Sequence, residues 1–394
     1  MKILIYSSNS IYSGKPVGGA EHSLHLLARK LSERGHNVHF VTDSYSRLTQ
    51  GFVDKDSQKF NIHFSPSISL PFQRLGFLKR LNALIKGVVV RWYLSCNFSD
   101  FDIAHTYNEE HDAYLLLKWK EKKSLNIKIV IRVAGLYWKD IHGIESSKKN
   151  KKIEYIYNNV DSVNFIQNGM KILFFDTTKS IMKIEPQDSF ILDIGDEINN
   201  NKAQWSTKPR TKPFRIVMVA RLSSYQKRQD ILIKAFENLN FGESELLFLG
   251  DGPELGNLTS YCNSNTFLKD RVKFLGYQSK EEVKNILLSS DLFCMCTEYE
   301  GLCKGVIEAM KYGVPVLTSN VLAISDYLEN GINGFLVDNN VEDWSKALSY
   351  CINLSDDALK EISENEIRFI RDNFDADKNV TQYEKEFMRI MNTN

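Results

Sequence analysis

Short apolar runs alternate with helix-length amphipathic segments along almost the whole chain. Many of these runs are continuously apolar, which is typical of strands that are covered on both faces. The alternating series contains thirteen strand candidates: KILIYSS, NVHFVTD, FNIHFS, FDIAHTY, KIVIRVA, SVNFIQN, SFILDIG, FRIVMVARL, ELLFLG, VKFLG, DLFCMC, VPVLTS and NGFLVD. Strands that alternate with helices predict parallel sheets with right-handed crossovers. The pattern therefore predicts an α/β protein with two Rossmann-like, doubly wound domains that face each other across a cleft.

A linker between the two series is visible in the composition. Residues 196–213 lack an apolar period and contain several Asn and Lys residues together with Pro209 and Pro213. The length of 394 residues also fits two domains with a core each. We therefore predict an N-terminal domain over residues 1–205 and a C-terminal domain over residues 206–377.

The bulk composition excludes some function classes. The 50 Lys and Arg residues nearly balance the 49 Asp and Glu residues, which argues against a dedicated nucleic-acid-binding protein. No run approaches the roughly 18 apolar residues of a membrane span. The six cysteines lack metal-ligand spacing, and Cys294 and Cys296 are predicted to be reduced core thiols. These features favour a cytoplasmic protein.

The segment EGLCKGVIEAMKYGVPVLTS, residues 300–319, carries the most specific chemistry. It predicts a glycine-rich loop that runs into a helix, where unpaired backbone N–H groups and the helix dipole favour a phosphate. Glu300 and Glu308 flank this loop and can accept hydrogen bonds from hydroxyl groups. A ligand that combines phosphate with a polyol, such as a nucleotide sugar, fits both features. The alternative is that both glutamates are ordinary surface charges near a helix start.

This segment closely resembles the signature of the retaining glycosyltransferases of family four. Glutamate, glycine, alanine, methionine, proline and valine residues match it at positions 300, 301, 308, 309, 310, 313, 315 and 316. Leu302 and Cys303 depart from its Phe-Gly pair; we expect the backbone role to persist, without dihedral angles that only glycine adopts. The resemblance implies the GT-B fold, with the active site in the interdomain cleft and the last helix, residues 378–394, packed back on the N-terminal domain.

The resemblance also implies a donor site and the roles of its residues. Arg221 and Lys227 would bind the leaving diphosphate, Glu300 would contact the donor sugar, and Glu308 would hold the ribose hydroxyls. The first three are the implied catalytic residues. The complete implied donor site consists of Gly18, Gly19, Arg221, Lys227, Gly252, Glu300, Gly301, Leu302, Cys303 and Glu308.

The residues alone leave other interpretations open. Arg221 and Lys227 could be two solvated cations near a turn, and the spacing does not fully separate Lys227 from Arg228. The glycines before the first helix, at positions 18 and 19, and Gly252 after the strand ELLFLG could serve only as plain turns.

Two further residues are candidates near the acceptor or the transferred sugar. His105 is predicted at a strand end, facing the cleft, and matches a histidine of the family; the alternative is a hydrogen-bonded structural residue. Ala134 occupies the position where the family often has a histidine close to the sugar. Arg132, or Asp140 in the following loop, is then a candidate for a contribution there.

No metal or other cofactor is implied. The DKD run at residues 54–56 resembles a divalent-cation motif of another enzyme architecture, but it lies in a polar loop before a strand. We interpret it as solvated surface.

Residues 70–94, LPFQRLGFLKRLNALIKGVVVRWYL, combine large apolar side chains with five Arg and Lys residues. Such a cationic amphipathic helix can lie on an anionic membrane surface. The alternative is an ordinary domain helix with exposed basic residues. The first interpretation predicts peripheral contact with the inner face of the membrane.

The implied reaction is transfer of a sugar, with retention, from a nucleoside diphosphate donor to an acceptor hydroxyl. Family frequency favours a UDP-sugar donor, and the acceptor class is a glycan or lipid-linked saccharide of cell-surface polysaccharide synthesis. Two alternatives are another GT-B enzyme, such as a nucleotide-sugar epimerase, and a non-catalytic glycosyltransferase-like binding subunit. The joint presence of Glu300, Glu308, Arg221 and Lys227 argues against the second.

Overall fold

The computed structural model describes ten segments of the chain: residues 1–12, 19–43, 60–66, 76–107, 110–135, 147–179, 182–198, 204–207, 213–239 and 243–393. They form two compact units. The first contains residues 1–197 and 374–394, and the second contains residues 198–373.

The first unit contains a seven-stranded parallel sheet with the strand order β3-β2-β1-β4-β5-β6-β7. Its strands are β1 (Lys2–Ser7), β2 (Asn37–Asp43), β3 (Asn61–Ser65), β4 (Ile103–Thr106), β5 (Lys128–Val133), β6 (Ser162–Phe165) and β7 (Ser189–Ile191). Its described helices before the second unit are α1 (Gly19–Glu33), α2 (Gly76–Asn97), α3 (Glu110–Lys123), α4 (Ser147–Asn159) and α5 (Asn168–Thr178).

The second unit contains a six-stranded parallel sheet with the strand order β10-β9-β8-β11-β12-β13. Its strands are β8 (Phe214–Val219), β9 (Ser244–Leu249), β10 (Val272–Phe274), β11 (Leu292–Met295), β12 (Val316–Ser319) and β13 (Phe335–Val337). Its helices are α6 (Gln229–Glu237), α7 (Leu255–Ser264), α8 (Lys280–Ser289), α9 (Lys304–Tyr312), α10 (Leu322–Ser325), α11 (Val341–Ile352) and α12 (Asp356–Asn373).

All thirteen predicted runs form strands, and the predicted fold class of two parallel-sheet α/β domains is confirmed. The continuously apolar runs lie in the interior, as β4, β9 and β11 illustrate with every residue buried. Helices cover both faces of such sheets, so no strand face needs polar residues. All six cysteines are free thiols, and Cys294 and Cys296 are buried as predicted.

The last helix, α13 (Ala376–Asn392), belongs to the first unit. Its apolar side chains, among them Val380, Tyr383 and Phe387, join the core cluster that contains β1 and α1. Polar contacts hold the helix at its margin, including an ion pair of 2.7 Å between Lys30 Nζ and Asp377 Oδ1. The chain therefore returns to its first domain only at its end.

The boundary between the units differs from the predicted one. It lies at Glu197 instead of residue 205, and at Phe374 instead of residue 377. Trp205 explains the first difference, because its indole N–H donates to the Ser290 carbonyl at 2.7 Å and its backbone N–H donates to Tyr312. These contacts anchor the residue in the second unit, although the composition around it is that of a linker.

Candidate functional site

In the second sheet, the order in which the strands are added reverses direction between β8 and β11. From β8, the chain continues outward to β9 and β10 on one side, while β11, β12 and β13 extend on the other. Ligands of open parallel sheets bind outside the carboxyl ends of the strands at such a switch point. The loops that leave β8 and β11 contain Arg221, Lys227 and Glu300, so the fold brings these residues to one edge of the sheet.

Lys227 and Glu300 form a mostly buried ion pair at this edge. The Lys227 ammonium contacts Glu300 Oε1, and their side chains are only 14% and 9% exposed. Burial lowers the pKa of Lys227, but the facing Glu300 carboxylate more than compensates, so the pKa lies above its ordinary value. The lysine therefore remains charged in a site that excludes most water.

Arg221 lies in the same loop as Lys227 but is exposed. Within the described residues, its guanidinium has no hydrogen-bond or ion-pair partner. Arg228, by contrast, pairs with Asp230 at 3.0 Å and with Glu298. The three cations therefore have different surroundings. Lys227 contacts Glu300 and Arg228 pairs with neighbouring carboxylates, whereas no carboxylate of the described residues neutralises the charge of Arg221.

Polar side chains brace each of the two loops, and Gln226 joins one loop to the other. Thr297 Oγ1 lies 3.0 Å from Glu300 Oε1, and the Gln226 amide donates to the Tyr299 carbonyl at 3.1 Å. Gln229 donates to the Arg221 carbonyl at 2.9 Å and accepts from the Ser223 N–H at 3.2 Å. Sequence reasoning missed Gln226, Gln229 and Thr297. Their only sign in the sequence is that each is a polar residue near the end of an apolar strand or the beginning of a helix.

The glycine-rich loop between Glu300 and α9 presents backbone donors. In the described part of the chain, the N–H groups of Leu302, Cys303 and Gly305 have no protein acceptor, and they lie at the positive end of the α9 dipole. A Cβ on Gly305 would approach the Val219 carbonyl oxygen to 3.2 Å, so glycine lets the helix start close to β8. Glu308 lies half-buried further along α9.

Cys303 has a left-handed backbone, with φ of 54° and ψ of 71°. This left-handed region favours glycine, and other residues adopt it at some cost, so Cys303 does not avoid the glycine-favoured conformation, contrary to the expectation from the sequence. The thiol is buried beside Lys227 and Glu300; burial, reinforced by the Glu300 charge, raises the pKa of Cys303 to about 12. It is therefore an un-ionised thiol at neutral pH.

Gly252 lies in the turn after β9, which packs on the loop after β8. The Leu222 N–H donates to the Asp251 carbonyl at 3.1 Å. A Cβ on Gly252 would lie 2.1 Å from the Leu222 carbonyl oxygen, closer than real contacts allow. The turn therefore requires glycine, and it supports the segment that begins with Arg221.

The candidate residues of the first unit are placed differently from the prediction. Gly19 begins α1, whereas Gly18, the DKD run at residues 54–56 and Asp140 lie outside the described residues. The prediction that His105 faces a cleft is wrong, because its side chain is 0% exposed and packs against the Tyr383 and Phe387 rings of α13. Burial, helped by nearby Arg132, lowers the pKa of His105 to about 3.

Arg132 is also buried, and its guanidinium pairs with Asp193 in the interior of the first unit. The Asn379 amide of α13 donates to the Asp193 carbonyl at 3.0 Å. His105 and Arg132 are thus parts of a buried polar cluster under the last helix, and their position argues against direct contact with an acceptor. The apolar pattern of the strands could not reveal that both residues are buried, because α13, the helix that covers them, comes from the other end of the sequence.

The described segments contain no candidate for a metal site or for a membrane span. No group of three His, Cys, Asp or Glu side chains there has the arrangement of a metal site. None of the helices in those segments combines the length and apolar character that crossing a bilayer requires.

Two family profiles match the chain. The profile of "Glycosyltransferase Family 4" matches residues 17–172, and that of "Glycosyl transferases group 1" matches residues 199–369. Together they cover most of both units.

Individual proteins resemble the chain over most of its length. The N-acetyl-alpha-D-glucosaminyl L-malate synthase of Bacillus anthracis is 23% identical over 93% of this chain and 92% of its own. The UDP-Gal:alpha-D-GlcNAc-diphosphoundecaprenol alpha-1,3-galactosyltransferase of Escherichia coli is 24% identical over 73% and 75%. The structure of Anabaena Alr3699/HepE with UDP-glucose has a TM-score of 0.73 and 17% identity, covering 98% of this chain and all of the other. This last likeness concerns the fold.

Proposed function

The chain belongs to the family-four type of glycosyltransferases with the GT-B fold, and we propose that it transfers a sugar with retention from a nucleoside diphosphate donor to an acceptor hydroxyl. The observation that carries the proposal is the Lys227–Glu300 pair beside unpaired N–H groups at the switch point. Cations and N–H donors suit a diphosphate, and a carboxylate suits a sugar hydroxyl.

Each residue then has a task that follows from its charge and position. Lys227, Arg221 and the N–H groups of Leu302 and Cys303 stabilise the charge that develops on the departing diphosphate. Glu300 orients the transferred sugar, and Glu308 binds the ribose hydroxyls. The bond between the anomeric carbon and the diphosphate oxygen breaks while the acceptor oxygen attacks the same face. The acceptor proton passes to the departing diphosphate oxygen.

We propose a UDP-sugar as the donor. The names of two similar proteins support this choice: the E. coli relative is named for UDP-Gal, and the Anabaena structure contains UDP-glucose. We propose a glycan or lipid-linked saccharide as the acceptor, because the E. coli relative acts on a diphosphoundecaprenol-linked sugar. No divalent cation has a task in this scheme, so turnover should persist in a chelator.

The donor proposal is tested with Arg221→Ala, because this exposed side chain has no protein partner in the described segments and its removal should leave the fold intact. Release of the nucleoside diphosphate is measured with a panel of UDP-, GDP- and ADP-sugars, and binding is measured as a shift in melting temperature. Loss of one such charge-stabilising donor should lower turnover about 100-fold. Arg368→Ala, at an exposed arginine of α12, is the matched control and should behave like wild type.

Three outcomes contradict parts of the proposal. Wild type that no nucleotide sugar stabilises would exclude the donor class. Normal turnover by Arg221→Ala would show that the diphosphate assignment is wrong. Binding of a donor without release of UDP, in the presence of candidate acceptors, would favour the non-catalytic binding subunit instead.

Peripheral membrane contact belongs to the same proposal, and α2 provides the observation that supports it. Leu81, Leu84, Val88 and Trp92 are all exposed, Leu84 by 67% and Trp92 by 62%. Their spacing of three and four residues places them on one narrow face of the helix. An unpartnered apolar stripe of this kind on a helix can enter the boundary between lipid headgroups and acyl chains.

Cations flank this stripe on the side of α3. Arg91, Lys118 and Lys122 line a groove of about 450 Å³ together with Tyr114 and a single carboxylate, that of Glu121. Gly87 lets α2 approach α3 closely, since a Cβ there would lie 3.3 Å from a Leu115 methyl carbon. The excess of positive charge beside the apolar stripe fits an anionic bilayer surface.

Only some basic residues of the predicted helix contribute positive charge beside the apolar stripe. Lys86 does not, because it pairs with Asp43. Arg74 and the side chains of Lys79 and Arg80 lie outside the described atoms. Arg91 is therefore the basic residue of the 70–94 segment whose side chain supports the surface, with Lys118 and Lys122 added from α3.

Vesicle flotation tests this surface. Vesicles of phosphatidylcholine with one-third phosphatidylglycerol should carry the wild-type protein, and pure phosphatidylcholine should not. A Leu84→Gln, Val88→Gln and Trp92→Gln triple variant should remain unbound, whereas Ile332→Gln, at an exposed apolar residue of the second unit, should bind like wild type. Equal flotation of the triple variant and wild type, or no flotation of either, would refute the surface.

A further inference from the structure

Thr297 follows β11 and is completely buried next to Glu300. Its hydroxyl lies 3.0 Å from Glu300 Oε1, 3.1 Å from the Gln226 carbonyl and 3.2 Å from the Tyr299 carbonyl. A hydroxyl has one proton to donate, and an ionised carboxylate is a stronger acceptor than a neutral carbonyl. The Glu300 carboxylate is therefore the preferred partner.

Two donors to Glu300 contact the same oxygen. The Lys227 ammonium and the Thr297 hydroxyl both lie on Oε1, and the buried Cys303 thiol is a further, weaker hydrogen-bond partner of the Glu300 carboxylate. The terminal carboxylate torsion of glutamate is broad and is poorly fixed by intrinsic rotamer preference. Two donors on one oxygen fix this torsion, and with it the direction in which Oε2 presents its lone pairs.

Thr297 is itself held from the opposite side. Its backbone N–H donates to Ser319 Oγ at 2.8 Å, and its carbonyl accepts from the Asn339 amide at 2.5 Å. The Ser319 hydroxyl also donates to Asn339 Oδ1 at 2.5 Å. These bonds connect the loop after β11 to the ends of β12 and β13. They hold the backbone of Thr297 in place, and with it the position of the hydroxyl.

From this geometry we propose that Thr297 is a positioning residue: it locks Oε1 of Glu300 together with Lys227, so that Oε2 is aimed at a hydroxyl of the transferred sugar. The inference rests on the proposed function, because it assigns a sugar hydroxyl as partner to the second carboxylate oxygen of Glu300. Positioning of this kind acts on the sugar, while the nucleotide is held by other groups. It should therefore affect turnover more than donor affinity.

Thr297→Val tests the inference, because valine keeps the shape of the side chain and removes the hydroxyl. We expect kcat for the preferred donor to fall at least about tenfold, with the affinity for free UDP and the donor KM within about threefold of wild type. Thr297→Ser restores the hydroxyl and should recover most of kcat.

Thr318→Val is the matched control. Thr318 is equally buried on the neighbouring strand β12, and its hydroxyl donates to the Met295 carbonyl at 3.1 Å, away from Glu300. If the effect of Thr297→Val were only a loss of core stability, Thr318→Val would reproduce it. Melting temperatures of all three variants show whether the comparison concerns folded protein.

The outcomes separate this inference from the proposed function. An active wild type with unchanged kcat in Thr297→Val overturns the positioning role alone. A failure of Thr297→Ser to exceed Thr297→Val overturns it as well, because the hydroxyl would then not be the relevant group. A wild type that turns over no nucleotide sugar overturns both the proposed function and the inference.

Discussion

Glu366 is a fully buried carboxyl group in the second unit, and its replacement by glutamine should flatten the dependence of stability on pH. Oε1 of Glu366 accepts from the Val316 N–H at 3.0 Å, while the buried Oε2 has no hydrogen-bond partner among the described residues. Burial raises the pKa of Glu366 well above the ordinary value of 4.5, against a smaller opposite effect of the Val316 N–H. The folded protein therefore keeps this proton at a pH where the unfolded chain has lost it.

The sign and the magnitude follow from proton linkage. Above pH 4.5 the folded state binds one proton more than the unfolded state at this site, so the free energy of unfolding falls as the pH rises. The slope is about 1.4 kcal/mol per pH unit, and it lasts until the pH reaches the folded-state pKa. Glu366→Gln removes the titrating group. The stability advantage of Glu366→Gln over wild type should therefore grow as the pH rises above 4.5, by up to about 1.4 kcal/mol per pH unit, over the range below the folded-state pKa.

Urea denaturation at pH 5, 6 and 7 measures this difference, with the tryptophans of the second unit, Trp205 and Trp344, as fluorescence probes. The amide group of the variant adds a constant cost if its N–H groups find no acceptor, but that cost does not change with pH. Glu361→Gln on the exposed side of the same helix is the control and should leave the wild-type slope unchanged. Parallel pH curves for Glu366→Gln and wild type would refute the reasoning.

Three further predictions concern backbone fit and buried charge. Gly252→Ala should destabilise the second unit by several kcal/mol in thermal unfolding, since a Cβ there meets backbone at 2.1 Å, whereas Gly256→Ala, with nothing within 4 Å, should be neutral or gain roughly 0.5–1 kcal/mol. Cys303→Gly relieves the left-handed backbone but removes a buried thiol, so the free energy of unfolding should change by no more than about 1 kcal/mol while UDP affinity is kept; a large loss of stability would contradict this. Arg132→Met should cost about 3 to 5 kcal/mol by removing the cation that neutralises the buried Asp193 carboxylate, and an added Asp193→Asn should recover part of the loss in the double variant.

The strands could be predicted from sequence because their apolar runs reflect burial on both faces, which depends little on which strand is the neighbour. Lys227 and Glu300 could be associated because their loops follow strands of one parallel sheet, and such loops emerge at one edge. The family resemblance supplied their roles: the 300–316 segment for Glu300, and the run from residue 214 to 236 for Lys227.

The remaining features depend on contacts between distant segments. His105 looked like a strand-end residue in the sequence, but α13 arrives from nearly 280 positions later and covers it. Trp205 lies in a stretch with the composition of a linker, yet one indole hydrogen bond fixes it in the second unit. The hydrogen bonds that join Thr297 and Asn339 form only when β11, β12 and β13 lie side by side, and no local sequence pattern predicts that arrangement.

The return of α13 to the first unit has a consequence for synthesis on the ribosome. The second unit is continuous in sequence, so it can complete its core as soon as Asn373 has emerged. The first unit begins earlier but must wait for the final turns of the chain, which follow its main segment by roughly 200 residues or about 10 to 40 s of translation. During that interval, the apolar surface that Tyr383 and Phe387 later cover remains open to chaperones. The domain that is translated first is thus the one that matures last.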